Sequence, residues 1–129
     1  MNAQGTLLRA EHVLPVRPEK TWLRQYAVRI VNDLIDDILP DAQALETYPE
    51  DQQVLLDRHI LLPGLINAHT HSPMSLFRGY ADDLSLMPWL EQHIWPAEQA
   101  HVSAEFVRDG AALAIVEMLL SGTTTFSDQ

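Results

Sequence analysis

The N-terminal half of the chain alternates apolar and polar side chains in the way that β-strands do. Residues 21–31 (TWLRQYAVRIV) alternate with a period of two and are rich in aromatic and β-branched types, which predicts a strand. Asn32 and Asp33 follow, and both residue types tolerate the positive φ of a tight turn. Residues 34–40 are therefore predicted to return as the second strand of a hairpin. Residues 6–16 are predicted to form another strand.

The pattern changes in the middle of the chain. Residues 41–53 are polar and are predicted to form a short helix or a loop. Residues 54–68 contain two strand-like apolar runs, interrupted by the Pro63-Gly64 pair. Residues 85–99 show helical spacing in parts, and we expect Pro96 to break that helix because proline lacks the backbone N–H.

A long helix and a strand are predicted for the last part of the chain. Ser103 is a suitable N-cap, an apolar-rich helix follows to Leu120, and Gly122 suits the position after a helix end. Residues 123–128 (TTTFSD) are predicted to form a strand. The order strand, loop, helix, strand is that of a βαβ unit, which implies a parallel sheet. The apolar face expected to pack contains Phe106, Leu113, Val116 and Leu120.

A single strand–helix–strand unit does not complete a parallel sheet. Such sheets are normally covered on both faces, and the strand at residues 123–128 would keep an open edge. We therefore expect residues 1–129 to be the front end of a longer protein.

Composition narrows the classes of partner. The chain has 129 residues, 18 of them acidic and 8 basic, with a formal net charge of −10. Nucleic acids and anionic membranes require clustered Lys and Arg, so neither is expected as a partner, and a small-molecule substrate is favoured. Since cysteine is absent, any metal site must use His, Asp and Glu. No signal peptide or membrane span is evident, which predicts a cytoplasmic protein.

His69 and His71 are the candidate metal ligands. Residues i and i+2 of a strand project to the same face, so both imidazoles are expected on one side of the strand end. Two neutral imidazoles can hold one divalent ion, and zinc suits such ligands. The alternative is a pair of surface histidines without a metal. The loop that follows, about 30 residues long, favours a binding site because long ordered loops are often functional.

The stretch LLPGLINAHTHSPMSLFRGYADDLSLMPWLEQHIWPAEQ resembles the amidohydrolase superfamily. It is most similar to the branch of methylthioadenosine/S-adenosylhomocysteine deaminases, guanine deaminases and triazine chlorohydrolases. The resemblance implies an α/β fold: the N-terminal portion of a metal-dependent hydrolase (β/α)8 TIM barrel with a flanking β-sandwich segment. Residues 1–60 would be N-terminal strands of the composite sandwich, and residues 61–129 the first strand–helix–strand unit of the barrel.

The resemblance also implies roles for individual residues. His69 and His71 match the first two metal ligands, with zinc as the expected ion. Glu98 matches a carboxylate that holds ribose hydroxyls, and Trp89 matches an aromatic beside the substrate. From the residues alone, a solvated acid at a helix end is the favoured interpretation of Glu98, and an ordinary core residue is the alternative for Trp89. Arg78 is expected to be structural and to pair with Asp82 or Asp83; Asp128 is expected to be structural too.

Three functions stay open on this basis. The first is a metal-dependent deaminase of an adenosine-like nucleoside, 5′-methylthioadenosine or S-adenosylhomocysteine, that releases ammonia. The second is a hydrolase of the same superfamily acting on guanine, a triazine or another heterocycle, and the third is a non-catalytic, truncated β-rich module. The remaining ligands and the proton-transfer groups of the family belong to later strands, so no catalytic residue is assigned, and residues 1–129 alone are expected to be inactive. A homodimer stays open.

Overall fold

The computed structural model describes residues 4–129, which form two compact units. The first unit ends at Pro63 and the second runs from Gly64 to Gln129. The first contains β1 (Thr6–Val13), β2 (Leu23–Val31), β3 (Leu34–Pro40), α1 (Asp41–Thr47) and β4 (Gln52–Leu61). The second contains β5 (Leu65–Thr70), a 3-10 helix (Ser72–Phe77), α2 (Leu86–Trp89), a π turn (Leu90–Ile94), α3 (Trp95–His101), α4 (Ala104–Leu120) and β6 (Thr123–Asp128).

The first unit is a four-stranded sheet with the order β3-β2-β1-β4. Strand β1 is antiparallel to β2 and parallel to β4. The predicted hairpin is confirmed: β2 and β3 pair antiparallel, and Asn32 and Asp33 turn the chain with φ values of 48° and 65°. This left-handed backbone is the one that Asn and Asp adopt most readily among residues with a side chain.

Apolar side chains are buried on both faces of this sheet, and not on one face only. The neighbouring residues Ala27 and Val28 of β2 point to opposite faces, and both are buried. Ala27 packs with Leu7, Leu39 and Ala44, the last of which lies in α1. On the other face, apolar side chains around Val28 line a groove of about 200 Å³. The helix therefore covers one face and leaves the other with an apolar groove.

A buried arginine on the inner strand β2 connects the edge strand β3 to the residue before β4. The Arg29 side chain in β2, 4% exposed, donates hydrogen bonds to Asp51 and Asp36, with Nε to Oδ2 and Nη1 to Oδ2 distances of 2.6 Å each. Its guanidinium carbon lies 3.9 Å from the ring centroid of Tyr48. Asp51 also accepts the backbone N–H of Gly5 at 2.9 Å. The hydrogen bond from Arg29 holds the pKa of the Asp51 carboxyl below its ordinary value.

The second unit has the predicted βαβ order. Strands β5 and β6 are parallel, with Leu65 opposite Thr123, and α4 precedes β6 in the chain. The predicted helix cap is confirmed, because the Ser103 hydroxyl oxygen accepts the backbone N–H of Phe106 at 3.1 Å. Gly122 follows the helix with φ of 84°, a conformation that favours glycine. None of the helices within residues 4–129 has the length and apolar character needed to cross a membrane.

The face of α4 that packs is only partly the predicted one: Phe106 packs, with its ring centroid 5.0 Å from that of Phe77, but Val116 and Leu120 do not. Small residues, Gly110 and Ala114, are buried, whereas Val116 is 53% and Leu120 84% exposed. The physical reason is the close approach of the 3-10 helix: a Cβ atom at residue 110 would lie 2.5 Å from the Pro73 carbonyl oxygen. The absence of a side chain at Gly110 thus decides which side of α4 meets its neighbour.

We expect Arg29→Met to lower the urea midpoint of unfolding of the first unit, because Asp51 would be buried without its cation. The control is Arg58→Met, whose side chain is 89% exposed and should leave the midpoint near wild type. Because the pKa of Asp51 is lowered from 3.8, this stabilisation exists above pH 3.8 and disappears as the pH falls through the lowered pKa. Equal midpoints at pH 7 for the two variants would contradict the role of Arg29.

We expect Gly110→Ala to destabilise the second unit by about 1–3 kcal/mol in thermal or urea unfolding, because the new methyl group overlaps the Pro73 backbone. The sign of the change in the free energy of unfolding is informative, since Gly→Ala inside a helix ordinarily stabilises by about 1 kcal/mol. Ala112→Gly, at an exposed position of the same helix, measures that propensity effect alone. A stabilised Gly110→Ala variant would show that α4 moves away from Pro73 at little cost.

Candidate metal centre

His69 and His71 lie at the carboxyl end of β5 with their rings side by side. His69 belongs to the strand, and His71 follows its last residue. The ring centroids are 5.1 Å apart and the ring planes are inclined by 80°. Both side chains are exposed. The strand geometry thus brings the two imidazoles to one side, as the i, i+2 spacing predicts, and their role as metal ligands remains a prediction.

This pair fits part of a zinc site. Zinc accepts imidazole nitrogen and prefers four ligands in a tetrahedral arrangement. Within residues 4–129, no group of three or more His, Cys, Asp and Glu side chains is placed to hold a metal ion. A metal at His69 and His71 would therefore take its other ligands from outside the described residues.

The residue after His71 is joined to the end of β6. The Asp128 carboxylate accepts the backbone N–H of Ser72 at 2.9 Å and also the Ser72 hydroxyl. Ser72 is 1% exposed, so its polar groups need such a partner. The two hydrogen bonds from Ser72 hold the pKa of the Asp128 carboxyl below its ordinary value, and Asp128 is structural as the resemblance implies. The sequence gives no signal that Ser72 is its partner.

The beginning of the long loop is tied to α4 by an ion pair. Arg78 donates two hydrogen bonds to Glu117, with Nη1 to Oε1 and Nη2 to Oε2 distances of 2.8 and 2.6 Å. The expected structural role is confirmed, but the expected partners, Asp82 and Asp83, are wrong. The reason is geometric, because Glu117 lies on the side of α4 that faces the loop and offers both carboxylate oxygens to the planar guanidinium.

Trp89 is held by the same loop. Its indole Nε1–H donates to the Tyr80 carbonyl oxygen at 2.9 Å, and the side chain is half-buried. The Tyr80 ring lies edge-on to His93, with centroids 5.8 Å apart. His93 therefore packs against this loop. This arrangement fixes the indole at the start of the helical segment, and its contact with a substrate remains a prediction.

Glu98 lies in the first turn of α3, and Pro96 does not break the helical path. The backbone stays helical through the π turn, in which the Trp95 N–H bonds to the Leu90 carbonyl. Trp89 and Glu98 are nine residues apart, which in a regular α-helix corresponds to opposite sides, about 180°. A π turn absorbs one extra residue and reduces that angle to about 80°. The turn thus moves both side chains toward one side of the segment.

Residues 60–129, more than half of the chain, match the amidohydrolase family, and the chain belongs to that family. It is 46% identical over 121 residues to a 5-methylthioadenosine/S-adenosylhomocysteine deaminase of Teredinibacter turnerae, covering 94% of this chain and 27% of that protein. It is 48% identical over 122 residues to the corresponding deaminase of Saccharophagus degradans, covering 95% and 27%. The chain therefore spans about 27% of the length of these curated relatives.

A solved structure confirms the predicted fold class. An adenosine deaminase from Xanthomonas campestris with bound zinc matches with a TM-score of 0.83 and 41% identity. The match covers 99% of this chain and 29% of that protein. The α/β architecture is that of the N-terminal portion of an amidohydrolase barrel protein.

Proposed function

We propose that this chain is the N-terminal part of a metal-dependent hydrolytic deaminase of adenosine-like nucleosides. The leading substrates are 5′-methylthioadenosine and S-adenosylhomocysteine, with ammonia as a product. The observation that carries the proposal is the His69–His71 ring pair at the carboxyl end of a parallel strand. In α/β barrels that end carries the active site. The identity to two deaminases with these substrates supports the same chemistry.

The two units have different parts in this proposal. Residues 1–60 would be strands of a β-sandwich, and residues 61–129 the first strand–helix–strand unit of the barrel. The apolar groove on the first sheet supports the former, since the inner face of a sandwich sheet is apolar. The parallel pairing of β5 with β6 supports the latter.

His69 and His71 would hold the divalent metal, and zinc is the expected ion. The donor set is two imidazoles, which suits zinc, and the Xanthomonas campestris relative binds zinc. When bound, such an ion acts as a Lewis acid and lowers the pKa of a bound water toward neutrality. The groups that transfer protons during the reaction would lie outside the described residues.

Glu98 and Trp89 would bind the substrate. A carboxylate accepts two hydrogen bonds from a vicinal diol, and ribose presents one in its 2′- and 3′-hydroxyls. The indole of Trp89 would lie beside the substrate, held in place by the Tyr80 carbonyl. The π turn between the two residues supports this assignment because it brings them toward one side of the helical segment.

We expect Glu98→Ala, in the full-length protein that carries this sequence, to lower kcat/KM for 5′-methylthioadenosine by about 100-fold. The reason is the loss of hydrogen bonds to a charged acceptor, worth about 1.5–3 kcal/mol each. Ammonia release is the measurement, and the 2′,3′-dideoxy analogue is the matched substrate. Its turnover by wild type should already be low and should fall little further in the variant.

Glu91→Ala is the control for this variant, since Glu91 is an exposed acid in the same helical segment. Glu91→Ala should leave kcat/KM for both substrates unchanged. Equal losses for the two substrates in Glu98→Ala would contradict the ribose contact. The alternative heterocycle hydrolase would be favoured by a different result. In that case wild type turns over guanine or a triazine but not the nucleoside, and Glu98→Ala leaves this turnover unchanged.

We expect the 129-residue chain by itself to release no ammonia from 5′-methylthioadenosine at any zinc concentration. Two imidazoles hold a divalent ion weakly, and within residues 4–129 no third ligand is placed beside them. A coupled ammonia assay with and without added zinc is the measurement, and the full-length protein is the positive control. Turnover by residues 1–129 alone would overturn this account of the metal centre.

A further inference from the structure

Asp128 ends β6 directly beside the point where β5 leaves the sheet. It stands opposite Thr70 in the parallel pair. Its carboxylate spans from β6 to Ser72, the residue that follows His71, and Ser72 is almost completely buried. A carboxylate from one strand thus fixes the chain immediately after a candidate ligand on the other strand.

The peptide groups on both sides of His71 are fixed by hydrogen bonds. Before it, the Thr70 carbonyl accepts the Gln129 N–H at 3.1 Å. The His71 carbonyl accepts the Met74 N–H at 3.0 Å. Ser72, the next residue, donates its N–H to Asp128 at 2.9 Å. Two of these three hydrogen bonds are made by Asp128, the last residue of β6, and by Gln129, the residue after it. The backbone from which the His71 imidazole projects is therefore set largely by this strand end.

The carboxylate of Asp128 accepts hydrogen bonds from three donors of the chain itself. Its Oδ1 accepts the N–H groups of Ser72 and Gln129, at 2.9 and 3.1 Å, and its Oδ2 accepts the Ser72 hydroxyl. Protein donors thus occupy three of the roughly four acceptor positions of this carboxylate. Such contacts are those of a residue that fixes the backbone, and they differ from those of a metal ligand.

We propose that Asp128 is a positioning residue for His71, which it orients through Ser72 so that both imidazoles face one metal ion. The inference rests on the proposed metal role of His69 and His71 and deepens it. Groups that orient metal ligands without touching the metal typically change affinity by about 10–100-fold when they are removed.

The test is the zinc affinity of the full-length protein, measured by competition with a chromophoric chelator. Asp128→Ala should weaken zinc binding by about 10–100-fold. Asp128→Asn should stay within about threefold of wild type, because its amide oxygen can accept the Ser72 N–H and its NH2 can donate to the Ser72 hydroxyl oxygen. The visible absorption of the cobalt-substituted protein should change in Asp128→Ala and be restored in Asp128→Asn.

Ser103→Ala separates positioning from general loss of stability. It removes the N-cap of α4 and lowers the unfolding midpoint, but it should leave zinc affinity unchanged. Wild-type affinity in Asp128→Ala, equal weakening in Ser103→Ala, or failure of Asp128→Asn to restore binding would each overturn the inference. Absence of zinc binding by wild type would instead overturn the proposed function, and this inference with it.

Discussion

The hydrogen bonds that Asp128 accepts from Ser72 join the ends of two parallel strands, and the second unit is arranged around that junction. Because the Ser72 groups are buried, they cannot exchange this partner for water. The next residue, Pro73, lies against α4 where Gly110 has no side chain. The histidine pair and the start of the long loop are consequently fixed from β6 and from α4. Strand pairing and helix packing thus converge on the few residues from which the metal centre would be built.

Both units bury a polar group and leave apolar side chains exposed. The first encloses an ionic group, Arg29 with Asp51, and supplies each member with further polar or aromatic partners. Large apolar side chains are in contact with solvent in both units, among them Leu55, 69% exposed, in the first and Ile66, 73% exposed, in the second. Parallel strands are ordinarily covered on both faces, and such side chains are the surface that neighbouring elements of a barrel cover. The match to only 27% of the length of the curated relatives agrees with this distribution.

Features determined by neighbouring residues could be predicted from the sequence, whereas those that depend on remote partners could not. The hairpin turn at Asn32, the Ser103 cap and the common side of the two histidines each follow from residue type and spacing. The partner of Arg78 is 39 residues away and that of Asp128 is 56 residues away, so periodicity gives no information about either. The packed face of α4 was predicted only in part for the same reason, since apolar spacing identifies Phe106 but does not reveal the close approach at Gly110.

The π turn lets one helical segment contain one residue more than a regular helix without changing the side that its far end presents. Removing one residue from the turn would leave Trp89 and Glu98 eight residues apart in a regular helix, an angle of about 80°, so Glu98 would face the direction that it faces now. Straightening the turn with every residue kept would instead rotate everything beyond it by about 100°. In evolution, a single-codon deletion within the turn would therefore preserve the group presented to a bound molecule. A gap at this point of an alignment does not by itself indicate a changed binding surface.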